Sequence, residues 1–232
     1  MPFQTKVIRN GSLAKTAPLF REMDTSADLT NARYEDEGLR NKWFYTSDFA
    51  MYTLEGGKGY LYFGGEHANP ILSNLSEACT QLISQHRYLP GTRARHAVLE
   101  SVKSGNTLRL QLSDLDLDTL NDGSGYFEID TADHHRLNDA QRLLAERIFG
   151  GDRLFEQNME IFFDVSIFTT KVSVLNSDYV AGTFAEGEAD ARIGWLYIFD
   201  NYSKFNAVDT NVGEVSAVRG VLSVAEEGDA DA

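Results

Sequence analysis

The chain has 232 residues, 42% of them apolar, and carries 35 Asp and Glu against 21 Lys and Arg, a formal net charge of −14. The apolar share supports a folded core and excludes the disordered class, which is charged and also poor in apolar residues; the length fits one large domain, or one with an insertion. A single cysteine, Cys79, excludes an intrachain disulfide and a Cys-rich metal site, and the acidic balance argues against nucleic acid as a direct partner, because neutralising phosphates takes a basic surface.

The kind of charge adds to its sum. Asp outnumbers Glu 19 to 16 and Arg outnumbers Lys 14 to 7. An Asp-rich, Lys-poor surface is expected of a protein that works in concentrated salt, where excess charge keeps copies apart in solution. An ordinary acidic mesophilic protein would carry the same sum. No apolar run approaches the roughly 20 residues that span a bilayer. The opening MPFQTKVIRNGS has no apolar signal-peptide core, so synthesis in the cytoplasm without secretion is expected.

Phe3 to Ile8 predicts a short strand closed by the turn pair Asn10-Gly11. Residues 1–41 read as this strand followed by an extended arm, with one short helix near Leu19 to Met23. The main domain is expected over 42–225. Phe49 to Leu54 and Tyr60 to Phe63 flank Glu55-Gly56-Gly57-Lys58-Gly59, a hairpin with a glycine-rich loop. The loop lacks the spacing of a phosphate loop and joins two strands rather than a strand and a helix. After Asn69-Pro70, the residues Ile71, Leu72, Leu75, Ala78, Cys79, Leu82 and Ile83 recur at helical spacing, with Asn74 and Glu77 placed as a capping box. Cys79 lies on that apolar stripe, the place of a buried inert thiol rather than a nucleophile.

Ala97 to Lys103 and Thr107 to Leu112 predict a second hairpin around Ser104-Gly105-Asn106. In Asp114-Leu-Asp116-Leu-Asp118 the carboxylates alternate with leucine, so a strand here would line one face with three of them. The following Asn121-Asp122-Gly123 does not make a calcium loop, because the sixth and twelfth positions hold Thr119 and Gly125. Tyr126 to Ile129 predicts a strand, and Leu137 to Phe149 a helix ended by Gly150-Gly151. His134 and His135 read as exposed residues before that helix; His67, His86 and His96 stand singly, with no zinc spacing.

Met159 to Leu175 predicts the principal core strand. Ile161, Phe163, Val165 and Ile167 share one parity, and a change of parity near Thr169 to Lys171 predicts a bulge. Phe162 and Phe168 fall on the opposite, covered flank. Tyr179 to Phe184 is expected to pair with Arg192 to Phe199, apolar on both parities and so a central strand buried on both faces. Val212 to Val224 closes the set, and 226–232 reads as a disordered acidic tail.

Eight to ten strands with two connecting helices predict a mainly β fold: a single antiparallel jelly-roll barrel or sandwich with a projecting loop or hairpin. No catalytic, cofactor-binding or metal-binding residue is assigned and no cofactor is expected. The opening MPFQTKVIRNGSLAKTAPLF, the chain length, the Asp-rich balance and the barrel-like strands from Met159 to Phe199 resemble the larger of the two small major capsid proteins of haloarchaeal icosahedral membrane-containing viruses, the sphaerolipovirus group. The resemblance implies a structural, non-enzymatic capsid protein in the virion. It implies packing beside copies of itself and a second, smaller capsid protein, over an internal viral membrane. The main rival is a carbohydrate- or ligand-binding jelly roll whose aromatics Trp43, Tyr45, Tyr60, Tyr62 or Trp195 line a groove. A third reading is an enzyme with an acid pair drawn from Asp114, Asp116, Asp118 and Glu128.

Overall fold

A computed structural model of the chain describes residues 4–9, 24–32, 39, 43–64, 89–121, 123–150, 153–175, 185–207 and 215–220. The expected helix of residues 71–83, Cys79, His67, His86, the helix near Leu19 to Met23, the strand of residues 179–184, Asp122 and the acidic tail lie outside them. Among the described residues the elements run β1 (Gln4–Arg9), α1 (Ser26–Ala32), β2 (Trp43–Glu55), β3 (Lys58–Gly64), α2 (Thr92–Lys103), β4 (Thr107–Gln111), β5 (Asp118–Thr119), β6 (Gly125–Asp130), α3 (Asp139–Phe149), α4 (Phe155–Asp164), β7 (Thr169–Leu175), β8 (Ala189–Ile198), β9 (Tyr202–Asn206) and β10 (Val215–Gly220). None of the helices is long and apolar enough to cross a membrane.

The mainly β class holds. The ten described strands form one sheet in the order β1-β10-β2-β8-β9-β7-β6-β5, with β3 and β4 branching from β2. The branch exists because β2 is long. One edge pairs with β10 near Phe44 and Tyr45, then with β3 from Phe49 to Glu55, while the other edge holds β8 throughout. Most neighbours are antiparallel, but β10/β2 and β7/β9 are parallel. The register of β2 shifts between Tyr45 and Phe49, at the polar run Thr46-Ser47-Asp48. That irregular turn of backbone receives the segment before α1: Ser47 N–H donates to the Asp24 carbonyl at 3.0 Å, and Ser26 N–H to Asp48 Oδ2 at 2.7 Å. Thus α1, in the stretch read as an arm, is seated on the sheet and packs against α3 and β8.

Side chains alternate between the faces of the sheet. One face carries Phe44, Ala50, Tyr52, Leu61, Phe63, Leu110, Phe127, Val172, Leu196 and Phe205, packed with Leu144, Ile148 and Phe149 of α3 and Met159 and Phe162 of α4. Tyr45, Phe49, Met51, Ile193 and Trp195 are buried on the other. All ten residues of β8 are buried, as apolar character on both parities predicts from Ile193 on; the strand begins three residues earlier than expected, with Asp190 and Arg192 buried as an ion pair, and its neighbours are β2 and β9. Close packing reaches backbone distances at Gly194: a Cβ there would stand 2.5 Å from the Phe205 ring and 2.8 Å from Thr46 Oγ1.

Four expectations are corrected. Met159 to Leu175 is not one strand but the end of α4, a turn, and β7. The buried residues Phe155, Asn158, Met159 and Phe162 are spaced by three and four, one helical face. Phe163 and Val165, expected inside, are exposed, and Phe162, expected on the flank, is fully buried. The parity change near Thr169 marks the start of β7. Ala97 to Lys103 is likewise helical: Ala94 and Val98, four apart, are the buried positions of α2. Thr107 to Gln111 is the expected strand but pairs with β3. The acidic stretch Asp114 to Asp118 is not a strand lined with carboxylates. Leu112 and Leu115, three apart, bury one side of a 3-10 turn, and Asp116 takes a left-handed conformation before the two-residue β5. His134 is not exposed. It is buried with Nδ1 3.0 Å from the Thr131 carbonyl and its ring edge-on to Phe155, while His135 remains at the surface.

The helix expected over Leu137 to Phe149 is present as α3. Asn138 accepts from Gln141 N–H at 2.9 Å while the Gln141 side chain accepts from Asn138 N–H at 3.2 Å, a reciprocal cap that satisfies two otherwise orphaned donors.

Candidate ligand-binding surface

The β2–β3 hairpin closes on Gly56 and Gly57, with φ of 59° and 73°. Left-handed backbone at both turn positions matches the twist of the flanking strands and suits glycine. The tight turn sets Thr53 opposite Tyr60, and the next strand sets Tyr62 opposite Arg109 and Tyr60 opposite Gln111. Alternation therefore puts Thr53, Glu55, Tyr60, Tyr62, Arg109 and Gln111 on one face.

Arg109 organises this surface. Its guanidinium lies 3.6 Å from the Tyr60 ring centroid; its Nε donates to Tyr62 Oη at 2.9 Å and its Nη2 to Glu55 Oε2 at 2.9 Å. Glu55 Oε1 accepts from Tyr62 Oη at 2.8 Å and Thr53 Oγ1 at 2.7 Å. Partial burial opposes ionisation of Glu55, but the hydrogen bonds from Thr53, Arg109 and Tyr62 outweigh it and hold the carboxyl below its ordinary range. Burial pushes the Tyr62 phenol up. Arg109 and Glu55 keep 38% and 40% of their side chains exposed, so the network stands at the surface. The hairpin tip is held from below. Glu186 accepts the Gly56 and Gly57 N–H groups at 2.5 and 3.2 Å, and Arg95 of α2 donates to the Gly187 and Pro90 carbonyls.

The aromatics named from the sequence fall into two groups. Trp43, Tyr45 and Trp195 meet with Tyr197 in a seam, with Tyr45 and Trp195 rings 4.2 Å apart, Trp43 and Tyr197 4.7 Å, and the two tryptophans 6.0 Å. Tyr45 and Trp195 are each 3% exposed, so the seam is packing rather than an open groove. Tyr60 belongs instead to the half-buried Arg109 surface, and Tyr62 is buried beneath it. The carboxylates are dispersed: Asp114, Asp116 and Asp118 are exposed on the 3-10 turn and β5, and Glu128 stands 4.0 Å from Lys171. Among the described residues no group of three His, Cys, Asp or Glu could hold a metal ion. Glu55 and Arg109 were missed in the sequence. The available signal was their place at alternate positions on strands expected to carry solvent-facing residues.

This surface offers a planar cation backed by the Tyr60 ring and a carboxylate in one fixed arrangement, with Tyr62 buried beneath them as a support. Such a set presents oriented donors, acceptors and a flat face together, the composition that fixes the orientation of a small polar ligand. No family model matches the chain, and no curated protein matches it. Among solved structures, it is similar to one described as "Accommodation of massive sequence variation in Nanoarchaeota by the C-type lectin fold", with a TM-score of 0.62 and 12% identity over 94% of this chain and 97% of that one. At that identity the likeness is one of fold.

Proposed function

We propose that the chain is a non-enzymatic recognition module that binds a saccharide or similar polyhydroxylated ligand at the Glu55–Tyr60–Arg109 surface, which the buried Tyr62 supports. The observation that carries this reading is the pre-organised stack of Arg109 on Tyr60, hydrogen-bonded to Tyr62 and Glu55 yet two-fifths exposed. A ligand meeting it would not have to order those side chains, which removes part of the cost of binding. The C-type lectin fold of the similar structure is said there to accommodate massive sequence variation, and a tolerant scaffold suits a recognition surface. A glycan-array screen followed by titration of the best hit tests the reading. Arg109→Ala and Tyr60→Ala are each expected to weaken binding at least tenfold, and a hit that survives both places the site elsewhere.

A second reading draws on the exposure of Phe168, expected with Phe162 on a covered flank; Phe162 itself is buried against Phe149 of the chain's own α3 and adds nothing to it. In it the chain is a capsid building block, packed beside copies of itself and a smaller capsid protein over a viral membrane in high salt. That reading also calls for a jelly-roll strand order, against which the parallel pairs β10/β2 and β7/β9 weigh. Light scattering in molar salt separates the two: shell-sized particles that fall apart on dilution favour the capsid, and a monomer at every salt concentration removes it.

A further inference from the structure

The strand register lays a row of side chains across the sheet, on the face turned away from α3 and α4. Glu128 of β6 stands opposite Lys171 of β7, Lys171 opposite Lys204 of β9, Lys204 opposite Tyr197 of β8, and Tyr197 opposite Trp43 of β2. Their chain neighbours Phe127, Val172, Phe205, Leu196 and Phe44 pair with one another in the core, so alternation puts the whole row on the outer face. Five strands spaced at about 4.8 Å make it roughly 19 Å long. Lys171 Nζ lies 3.5 Å from the Tyr126 ring centroid and 4.0 Å from Glu128 Oε1. Tyr202, two residues before Lys204 and so on the same face, stacks on Phe199 with centroids 4.3 Å and planes 24° apart, and its ring lies 6.5 Å from that of Tyr197. Tyr202 is 38% exposed and the Glu128 side chain 53%, while Lys171, Lys204 and Trp43 are half-buried. The aromatic seam of Trp43 and Tyr197 thus runs out to solvent at Tyr202.

We infer that this row is a second saccharide subsite and that it takes an extended, neutral oligosaccharide. The inference rests on the saccharide reading of the chain. The exposed Tyr202 ring, held flat against Phe199, offers a stacking surface to the apolar face of a sugar, and the amine of Lys171 and carboxylate of Glu128 further along supply a donor and an acceptor for its hydroxyls. A row that crosses five strands suits several sugar units rather than one. Charge selects a neutral ligand. Lys171 and Lys204 are matched by Glu128 and by Asp130, exposed two residues along β6 on the same face, so the row carries no net charge, and the −14 of the whole chain opposes an anion. The row and the Arg109 surface lie at opposite ends of β2, at Trp43 and Glu55, on the order of 30 Å apart, so each can be tested without the other.

The chain's two tryptophans, Trp43 and Trp195, stand in the row and beside it, so their fluorescence reports this subsite, while the heat of binding reports every site. The test titrates the full chain with cellohexaose, laminarihexaose and chitohexaose, with glucose and N-acetylglucosamine as single-ring controls and hexagalacturonate as the acidic one. At least one neutral hexasaccharide is expected to change the fluorescence, and the controls to bind at least tenfold more weakly. Tyr202→Ala is expected to weaken the response at least tenfold, and Tyr202→Phe, which keeps the ring, less than threefold. Lys171→Gln is expected to weaken it several-fold; Glu128→Gln, at a more exposed position, serves should Lys171→Gln lower the melting temperature. A response that survives both Tyr202→Ala and Lys171→Gln would overturn the subsite. Heat of binding abolished by Arg109→Ala, with no fluorescence response in the parent, would overturn it and leave the Arg109 surface standing. Silence in both readouts would remove both. Equal affinity for the single sugars, or preference for hexagalacturonate, would overturn the extended, neutral ligand.

Discussion

Two helices in this chain end in the same motif with different residues at its critical position. After α2, Gly105 N–H bonds to the Val102 carbonyl and Asn106 N–H to the Ser101 carbonyl, with Gly105 at φ 79°. After α4, Ser166 N–H bonds to the Phe163 carbonyl and Ile167 N–H to the Phe162 carbonyl, with Ser166 at φ 68°. Both are Schellman caps, which require a left-handed residue and favour glycine there. A side chain in that conformation costs about 1–2 kcal/mol, because its Cβ crowds the following carbonyl. Ser166 is exposed, so removing its hydroxyl leaves no buried group unpaired. Replacing it with glycine releases the strain but loosens the unfolded chain by about 0.4–1 kcal/mol. The net expectation for Ser166→Gly is a gain of about 0.5–1 kcal/mol, and for a chain of this size a rise in melting temperature of about 1–4 °C. The mirror substitution, Gly105→Ser, is expected to cost a similar amount. Paired denaturant and thermal melts measure both. Ser166→Gly that is neutral or destabilising, beside Gly105→Ser that is harmless, would refute the assignment of both caps.

Burial raises the Asp48 carboxyl from 3.8 to about 6, and its hydrogen bonds to Ser26 only partly offset this. A group that binds its proton more tightly when folded stabilises the fold at low pH and loses that contribution as pH rises. Between pH 4 and 7 the parent should therefore lose up to about 3 kcal/mol relative to Asp48→Asn, a shift of roughly two pKa units; parallel pH–stability curves would contradict it. Glu55 has the opposite sign: its lowered pKa contributes stability above its ordinary range that is lost in acid, so Glu55→Gln should flatten the acid limb of the stability curve. Gly194→Ala forces a methyl against the Phe205 ring and Thr46 Oγ1, with an expected loss of about 1–3 kcal/mol in urea unfolding; an unchanged midpoint would show that Phe205 can move away.

The two strands that turned out helical share one cause. In Phe155 to Val165 the apolar residues satisfy a period of two through Ile161, Phe163 and Val165, and a helical period through Phe155, Met159 and Phe162. A short apolar run does not separate these. The choice is made by Phe149 of α3, whose ring meets Phe162 at 6.1 Å and gives the helical face something to pack against. Val98 and Val102 are ambiguous in the same way, as i and i+2n on a strand and i and i+4 on a helix. By contrast the hairpin at Gly56-Gly57, the helix read over Leu137 to Phe149 and the buried strand read from Arg192 were legible, because turn chemistry, caps and apolar character on both parities act locally.

The Arg109 surface lay beyond that kind of reading. Arg109 is 47 residues from Tyr62 and 54 from Glu55 in the chain. Local sequence could place each on a strand and say which way its side chain alternates. Which strands become neighbours, and in what register, depends on long-range pairing and on the branch that the length of β2 allows. Composition, turns, caps and the apolar strands were determined by the sequence itself. The meeting of Glu55, Tyr60, Tyr62 and Arg109, and the outward turn of Phe163 and Phe168, were decided by tertiary structure, because only pairing and packing across the whole sheet select among local periods that fit equally well.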